Sequence, residues 1–192
     1  MRKTLAVLGA AAAALALASG PAQAKEYKVG LLLPFSGVYA GLGSHIENGF
    51  NLGLEHFGGD LGGHTITLAR EDTEAKPATG LVKAKKLVLQ DKVDVIVGPT
   101  MPNTAWRLEE TEVKVLERKE SVLAISWRLT YPFNLTGLPA ISLPCGFDGN
   151  DMPIGLQIAA KPFDETTLLR VAQAYERSND WVARRPKLWK EE

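Results

Sequence analysis

The imidazole and thiol groups of this chain are few, and their spacing limits the chemistry they could perform. The three histidines, His45, His56 and His64, have no clustered cysteines or carboxylates at the spacing of a metal site. The sequence therefore predicts no metal and no cofactor. The single cysteine, Cys145, cannot form an internal disulfide. Its apolar setting, LPCGF, is typical of a buried and inert thiol, although pairing between two molecules stays open.

Serine hydroxyls are the remaining candidate nucleophiles. A serine nucleophile needs a neighbouring base and facing oxyanion donors. The chain has no Ser-Ser pair and no Gly/Ser-rich loop of the kind that supplies them. Ser142 lies inside the predicted strand AISL, and Ser121 and Ser126 lie on a predicted helix. We therefore expect these three serines to be structural, and we assign no catalytic residue.

Composition describes an ordinary soluble globular protein of one domain or two small ones. Of its 192 residues, 45% are hydrophobic and 23% are charged, and the formal net charge is +0. Because there is no excess of basic residues, we expect no nucleic-acid partner.

Residues 1–24 differ from the rest of the chain. They begin with two basic residues close to the initiating Met, continue with an apolar run and end in Ala-Gln-Ala. This is the pattern of a secretory signal peptide, and it predicts cleavage after Ala24 and a periplasmic location. The apolar run is shorter than the ~20 residues of a membrane span. A retained membrane anchor is the alternative.

Residues 25–98 alternate three apolar runs with two helical patterns. The predicted strands are Lys28–Pro34, 64–73 and Val93–Gly98. A capping box from Ser44 to Glu47 predicts the start of the first helix, and Pro77 suits the first turn of the second. The resulting β-α-β-α-β order predicts an α/β fold, with a parallel sheet and right-handed crossovers.

These residues also carry a family resemblance. The stretch EYKVGLLLPFSGVYAGLGSHIENGFNLGLE, followed by EDTEAKP and DKVDVIVGP, resembles the start of a periplasmic solute-binding protein of the branched-chain amino acid and amide type. The resemblance covers essentially all of residues 25–98. It implies the first half of lobe 1 of a two-lobed, hinge-closing binder. It also implies an amino acid or amide as ligand and the membrane subunits of an ABC importer as partners.

The same resemblance implies a ligand site. In that family, the loops after the first and third strands present backbone N–H groups and hydroxyls to the polar end of the ligand. The first such loop here is Phe35–Ser44, and it leads into a predicted helix N-terminus that suits a carboxylate or carbonyl oxygen. We therefore place candidate ligand contacts at Tyr39, Gly41, Gly43 and Ser44. The alternative is that the two glycines and Ser44 only cap the helix.

Residues 99–192 have a different character. Pro139 and Pro144 bracket the short predicted strand AISL, and IGLQIAA forms a second strand. Asp164 predicts the N-cap of a helix with an acidic first turn. The charged residues between positions 109 and 120 predict a solvated helix face.

This second segment resembles another family. The run from about Thr130 to Tyr175 contains TYPFNLTGLPAISLPCGF and DMPIGLQIAAKPFDETTLLRVAQAY, and it resembles the C-terminal part of an amidase-signature amidase. The likeness extends to Pro186 and back to about residue 94 or 99. It implies a serine hydrolase of carboxamides that works through one lysine and two serines. Those residues lie upstream of the part resembled, so none of them can be carried over.

The stretch DVIVGPTMPNTAWRL, residues 94–108, fits the strand pattern of both families. We therefore interpret the chain as a hybrid of a signal peptide (1–24), a partial binding lobe (25–98) and a partial amidase-like α/β segment (99–192). We expect it to have neither complete activity. The alternatives are an exported amino acid or amide-binding component of an importer, and an amidase or amidase subunit. Whether the two parts pack as one sheet stays open at this point.

Overall fold

A computed structural model describes residues 24–59, 63–180 and 183–184. Except for Ala24, the predicted signal peptide lies outside the described residues. Within the described ranges, no helix has both the length and the apolar character needed to cross a membrane.

The described elements follow one another as strands and helices, with a 3-10 turn at Gly37–Tyr39. In chain order they are β1 (Glu26–Leu33), α1 (Ala40–His56), β2 (Thr65–Asp72), α2 (Pro77–Leu89), β3 (Val95–Pro99), β4 (Glu112–Val115), β5 (Arg118–Ser121), α3 (Val122–Ile125), α4 (Tyr131–Thr136), β6 (Ala140–Phe147), β7 (Pro153–Ala159) and α5 (Glu165–Arg177).

Five of these strands form one sheet in the order β2-β1-β3-β7-β6, while β4 and β5 form a separate hairpin. Strand β1 pairs in parallel with β2 and β3, which confirms the parallel sheet predicted for the first segment. Strand β7 pairs antiparallel with β3 and with β6. The predicted α/β class is confirmed, and the two segments share one sheet whose seam is the β3–β7 ladder.

The hydrophobic core lies on both faces of this sheet. On one face, Leu87 of α2 and Ile96 of β3 pack in a cluster with Phe133 of α4. On the other face, Ile158 of β7 packs with Leu168 of α5, and Val97 of β3 packs against them. Each cluster takes residues from both segments. Since a fully buried aliphatic or aromatic side chain contributes about 1.5–3 kcal/mol, these mixed clusters stabilise the union of the two segments.

The start of α1 differs from the prediction. The helix begins at Ala40, and Ser44 lies inside it, so the predicted capping box is wrong. The cause is the 3-10 turn directly before the helix, which Gly37 enters with a φ of 68°. That turn brings the chain into helical geometry one turn earlier than the sequence pattern suggests. By contrast, Asp164 caps α5 as predicted, since its carboxylate accepts a hydrogen bond from the Thr167 N–H at 3.3 Å.

The charged residues between positions 109 and 120 do not form a helix. They form most of the β4–β5 hairpin, and Leu116 in its turn has a φ of 54°. Val115 is 3% exposed, since it packs with Ile125. A hairpin forms here instead of the predicted helix because the valines of β4 alternate with charged residues, a period-2 pattern that suits a strand with one buried face. Ser121 consequently ends a strand, and Ser126 follows the short helix α3.

Strand β6 is longer than the predicted strand AISL, because it continues through Pro144 to Phe147. A register shift between Pro144 and Gly146 marks a bulge there. Proline is tolerated on an edge strand where its nitrogen faces away from the ladder.

Candidate functional site

The carboxyl ends of the parallel strands are the place where a ligand site is expected in an α/β sheet. Strands β1, β2 and β3 end on one side of the sheet, at Leu33, Asp72 and Pro99, and we call this side the carboxyl edge. Strand β7 begins and β6 ends at the same edge, because β7 runs antiparallel to β3 and β6 runs antiparallel to β7. Two features occupy this edge: the loop between β1 and α1, called the first loop (residues 34–39), and a cleft beside the end of β3.

The Asp72 carboxylate binds backbone donors at the start of the first loop and in the loop after β2. The Asp72 carboxylate accepts from the Phe35 N–H at 2.8 Å and from the Glu74 N–H at 2.7 Å. Burial by itself would raise the pKa of Asp72, but hydrogen bonds from Ser36, Glu74 and Phe35 lower this pKa below its ordinary value. The donors of Phe35 and Ser36 in the first loop therefore face a carboxylate of β2.

Tyr39, a predicted ligand contact, joins the first loop to the second segment. Its side chain is 4% exposed, and its hydroxyl donates to Glu120 Oε1 at 2.6 Å. Arg128 donates to the same hydroxyl, and its guanidinium carbon lies 4.7 Å from the centre of the Tyr39 ring. Burial and then the hydrogen bond to Glu120 raise the pKa of Tyr39, while the charge of Arg128 opposes them. The hydroxyl is thus occupied by two side chains from beyond residue 98.

The other predicted contacts lie in the first two turns of α1. Gly43 is buried, and a Cβ there would lie 2.1 Å from the carbonyl oxygen of Pro34. Gly41 is exposed in the first turn, and Ser44 is half-buried in the second. Gly43 therefore has a packing role that requires the missing side chain. Ligand contact by Tyr39, Gly41, Gly43 and Ser44 stays a prediction.

The cleft beside the end of β3 has a volume of about 640 Å³, and we call it the hydroxyl cleft. Its walls are formed by the loop after β3, which includes Trp106, and by the ends of β6 and β7. On its floor, the hydroxyls of Thr100 and Ser142 share a hydrogen bond with 2.6 Å between the oxygens. A Cβ at Gly155 would lie 2.8 Å from Thr100 Oγ1, so the missing side chain makes room for the hydroxyl pair. Among the described residues that line the cleft, none is ionisable.

One carboxylate stands next to the hydroxyl cleft and closes the turn between β6 and β7. Asp148 accepts from Thr104 Oγ1 at 2.5 Å, from the Asn150 N–H at 2.8 Å and from the Met152 N–H at 2.9 Å. These hydrogen bonds, that of Thr104 first, lower the pKa of Asp148. In the described part of the chain, Asn103 Oδ1 is the one buried side-chain oxygen or nitrogen without a hydrogen-bond partner.

Sequence reasoning did not identify the hydroxyl cleft. It placed Ser142 in a strand, which is right, but it did not bring Thr100 next to it, because the two are joined only through the β3–β7–β6 pairing. A threonine hydroxyl is no base near neutral pH, so the Thr100–Ser142 pair does not activate a nucleophile. On the same strand, β6, Cys145 is half-buried, and burial raises the pKa of its thiol.

Comparison with known proteins separates the chain into two likenesses. A family model of periplasmic binding proteins matches residues 26–114. The solute-binding protein of an ABC transporter from R. palustris, solved in complex with benzoate, is 42% identical, covering 37% of this chain and 20% of that chain with a TM-score of 0.36.

A different set of relatives matches most of the chain. A glutamyl-tRNA(Gln) amidotransferase subunit of Lysinibacillus sphaericus (strain C3-41) is 38% identical over 132 residues, which cover 67% of this chain and 26% of that protein. The chain resembles two different families. The hybrid resemblance predicted from the sequence is confirmed, and the chain spans about a quarter of the length of this curated relative.

The corresponding amidotransferase protein of Thermotoga maritima, whose structure is solved, shows the fold of this hybrid. It is 20% identical with a TM-score of 0.51, covering 81% of this chain and 43% of that chain. The superposed region therefore reaches into the first segment, since residues 99–192 are only about half of the chain. By the same reasoning, the 67% alignment reaches into residues before 99 and overlaps the binding-protein match. The boundary between positions 98 and 99 stays a prediction.

Proposed function

We propose that this hybrid is an exported fusion of a partial solute-binding lobe and a partial amidase, and that it performs neither complete activity. The binding-protein-like and amidase-like segments share one sheet, so the fusion folds as a unit. Export rests on the signal-peptide pattern of residues 1–24. Export and cleavage are tested by recovering the chain from the periplasm and measuring its intact mass. We expect the recovered chain to begin at Lys25. A mass that retains residues 1–24 contradicts cleavage.

The observation that carries the proposal is the chemistry of the carboxyl edge. In the first loop, the Phe35 N–H donates to Asp72, and the Tyr39 hydroxyl donates to Glu120. In the hydroxyl cleft, Thr100 and Ser142 bond to each other, and the described lining residues include no base. Amide hydrolysis by a serine requires an adjacent base and a set of oxyanion donors. Neither place at this edge supplies that combination.

The test of the missing hydrolysis is ammonia release by the purified full chain from a panel of carboxamides that includes glutamine and benzamide. We expect release at the rate of the protein-free blank, because the Ser142 hydroxyl has no base to take its proton. Turnover that a serine-directed inhibitor abolishes contradicts the proposal. The Ser142→Ala variant then distinguishes this serine from a contaminating enzyme, since contamination is unaffected by the substitution.

The second candidate function is an exported binding component for an amino acid or amide, working with the membrane subunits of an ABC importer. It is favoured by the start of α1, where Tyr39 at the N-cap position makes no side-chain capping bond to the first-turn N–H groups. A helix N-terminus of this kind attracts carboxylates. The measurement is the unfolding temperature of the full chain with leucine, isoleucine or benzoate. A saturable rise with one of them establishes binding, and the proposal that neither activity is present then fails.

A further inference from the structure

Strand β6 is an edge of the sheet with an unusual combination of properties. Among the described residues, no strand pairs with its outer side. The hydrogen bond from the Ala160 N–H to the Pro139 carbonyl, together with the register Ala140↔Ala159, shows which groups face β7. Paired residues in an antiparallel ladder alternate between hydrogen-bonded and non-hydrogen-bonded positions. The backbone N–H and C=O of Ile141 therefore form hydrogen bonds with β7. The N–H and C=O groups of Ala140 and Ser142 therefore point away from the sheet.

The β3–β7 ladder gives the same assignment independently. Thr100 N–H donates to the Gly155 carbonyl, so the odd-numbered residues of β7 from Gly155 onward bond to β3. Their partners on β6, including Ser142 opposite Gln157, are then non-bonded on the β7 side. Both Ala140 and Ser142 are exposed. Pro144 follows in the same outward series, and it has no N–H to offer.

An apolar groove runs beside this edge. Its volume is about 410 Å³, and it lies between β6 and α5, with Ile141 and Leu143 on one side and Leu169 on the other. Leu169 is 59% exposed although it is a large aliphatic residue on a helix that packs against the sheet. The opposite edge of the sheet, β2, differs, because Arg70 lies on it in an ion pair with Glu47 at 3.1 Å. Charged residues, proline and bulges are common protections of an edge strand; β6 has no charged residue, and its proline and bulge lie beyond Ser142, from Pro144 to Gly146.

We infer that the β6 edge pairs with the β6 edge of a second copy of this chain, in an antiparallel arrangement about a two-fold axis at Ile141. In that register Ala140 lies opposite Ser142 of the second copy, and the two residues of each copy supply four backbone hydrogen bonds. Pro144 falls outside the paired stretch, so its missing N–H costs nothing there. The Ile141 side chains meet at the axis as a closely spaced non-bonded pair on the face that carries the groove.

A second copy fits this edge better than an unrelated strand for two reasons. The outward groups of Ala140 and Ser142 are self-complementary about the two-fold axis, as a closed dimer interface requires. The groove also carries one basic and one acidic side chain, Arg170 and Glu176, so two copies meet without an excess of like charge. A partner strand with strong charge of one sign lacks that balance. The pairing would extend the five-stranded sheet across the axis and cover Leu169.

The test is the oligomeric state of the full chain by light scattering and sedimentation over a wide concentration range, in a reducing buffer. We expect a reversible dimer. Ala140→Pro removes one outward N–H per copy without touching the bonds to β7, and two lost hydrogen bonds lower the association constant about tenfold or more. Leu169→Glu is expected to weaken the dimer comparably, while the matched control Leu52→Glu, an exposed leucine of α1, is expected to leave it unchanged.

Three results overturn the inference. One is a monomeric parent chain over the whole concentration range. Another is a dimer that forms only when the reducing agent is left out, since it is then a Cys145 disulfide. The third is a dimer that persists in both Ala140→Pro and Leu169→Glu, since the interface then lies elsewhere. Circular dichroism of each variant separates a weakened interface from failure to fold.

Discussion

The first loop and the hydroxyl cleft lie at the same edge of one sheet, yet they differ in how their polar groups are satisfied. The first loop is closed by Asp72 on the neighbouring strand and by the glycine contact between Gly43 and Pro34. The hydroxyl cleft is open, and its Thr100–Ser142 pair is bordered by about 640 Å³ of space. A family resemblance located the first of these places, and tertiary pairing alone created the second. The closed loop should therefore be sensitive to substitution, and the open cleft tolerant.

The largest effect is expected from Gly43→Ala. A Cβ at this position would lie 2.1 Å from a backbone oxygen of Pro34, which cannot move without displacing the end of β1. Overpacking of this kind costs about 3 kcal/mol. The matched control is Gly49→Ala in the same helix, where a Cβ meets nothing within 4 Å. Gly49→Ala is expected to raise the free energy of unfolding by about 0.5–1 kcal/mol, because alanine loses less backbone entropy on folding than glycine.

Urea unfolding of both variants measures this contrast as the change in the free energy of unfolding. Equal stability of the two variants contradicts the tight contact between α1 and Pro34. It also leaves the loop free to open toward a ligand, which sharpens the case for the binding function. The pair of glycines thus tests the closed state of the first loop without altering any polar group.

The sequence was sufficient for the strands of the first segment, because Leu31, Leu33 and their neighbours form continuous apolar runs of the kind that central parallel strands have. It also located Asp164 as a helix cap. It failed at α1, where Ser44 and Glu47 match a capping box although Gly37 starts the helical path sooner. Local patterns cannot reveal such a competition between two possible starts.

The candidate site was less predictable than the fold. Tyr39 contacts Glu120 and Arg128, which are more than 80 positions away in a segment that resembles another family. Thr100 and Ser142 meet only because β7 pairs with both β3 and β6. Neither contact has a sequence signal, since each depends on how two segments of different resemblance share one sheet. The sequence indicated that a site would lie at the carboxyl ends of the parallel strands. It did not indicate which side chains would contact one another there.

A smaller effect is expected from acid, through the carboxylates of the two regions. The pKa values of Asp72 and Asp148 are both lowered in the folded chain, relative to about 3.9 in an unfolded one. Their contribution to stability is therefore present above about pH 4, and it is lost as the pH falls through the folded values. We expect a steep loss of stability below pH 4. Asp72→Asn and Asp148→Asn should each reduce this dependence on pH, because each removes one carboxylate whose pKa is lowered.

Urea unfolding at a series of pH values measures this dependence. At neutral pH, Asp72→Asn is expected to cost about 1 kcal/mol, since the Phe35 and Glu74 N–H groups then donate to a neutral oxygen. Glu71 also makes the free energy of unfolding depend on pH, and both asparagine variants retain this contribution. Burial alone would raise its pKa, but hydrogen bonds from Lys83 and Lys86 lower it. If the two asparagine variants keep the full acid dependence of the parent chain, neither turn is held by its carboxylate.

The smallest effect is expected from Thr100→Val in the hydroxyl cleft. The substitution keeps the shape of the side chain and removes the hydrogen bond to Ser142, which is exposed and can bond to water instead. Because the net value of such a bond is about 0.5–1.5 kcal/mol and water replaces part of it, we expect a loss of about 0.5 kcal/mol. Thr65→Val is the matched control, because Thr65 is an exposed threonine at the start of β2. A loss above about 2 kcal/mol for Thr100→Val alone, more than one such bond supplies, means that the hydroxyl pair is a structural part of the β3–β7–β6 seam. The contrast between an open cleft and a closed loop then fails, because both places would depend on their internal hydrogen bonds.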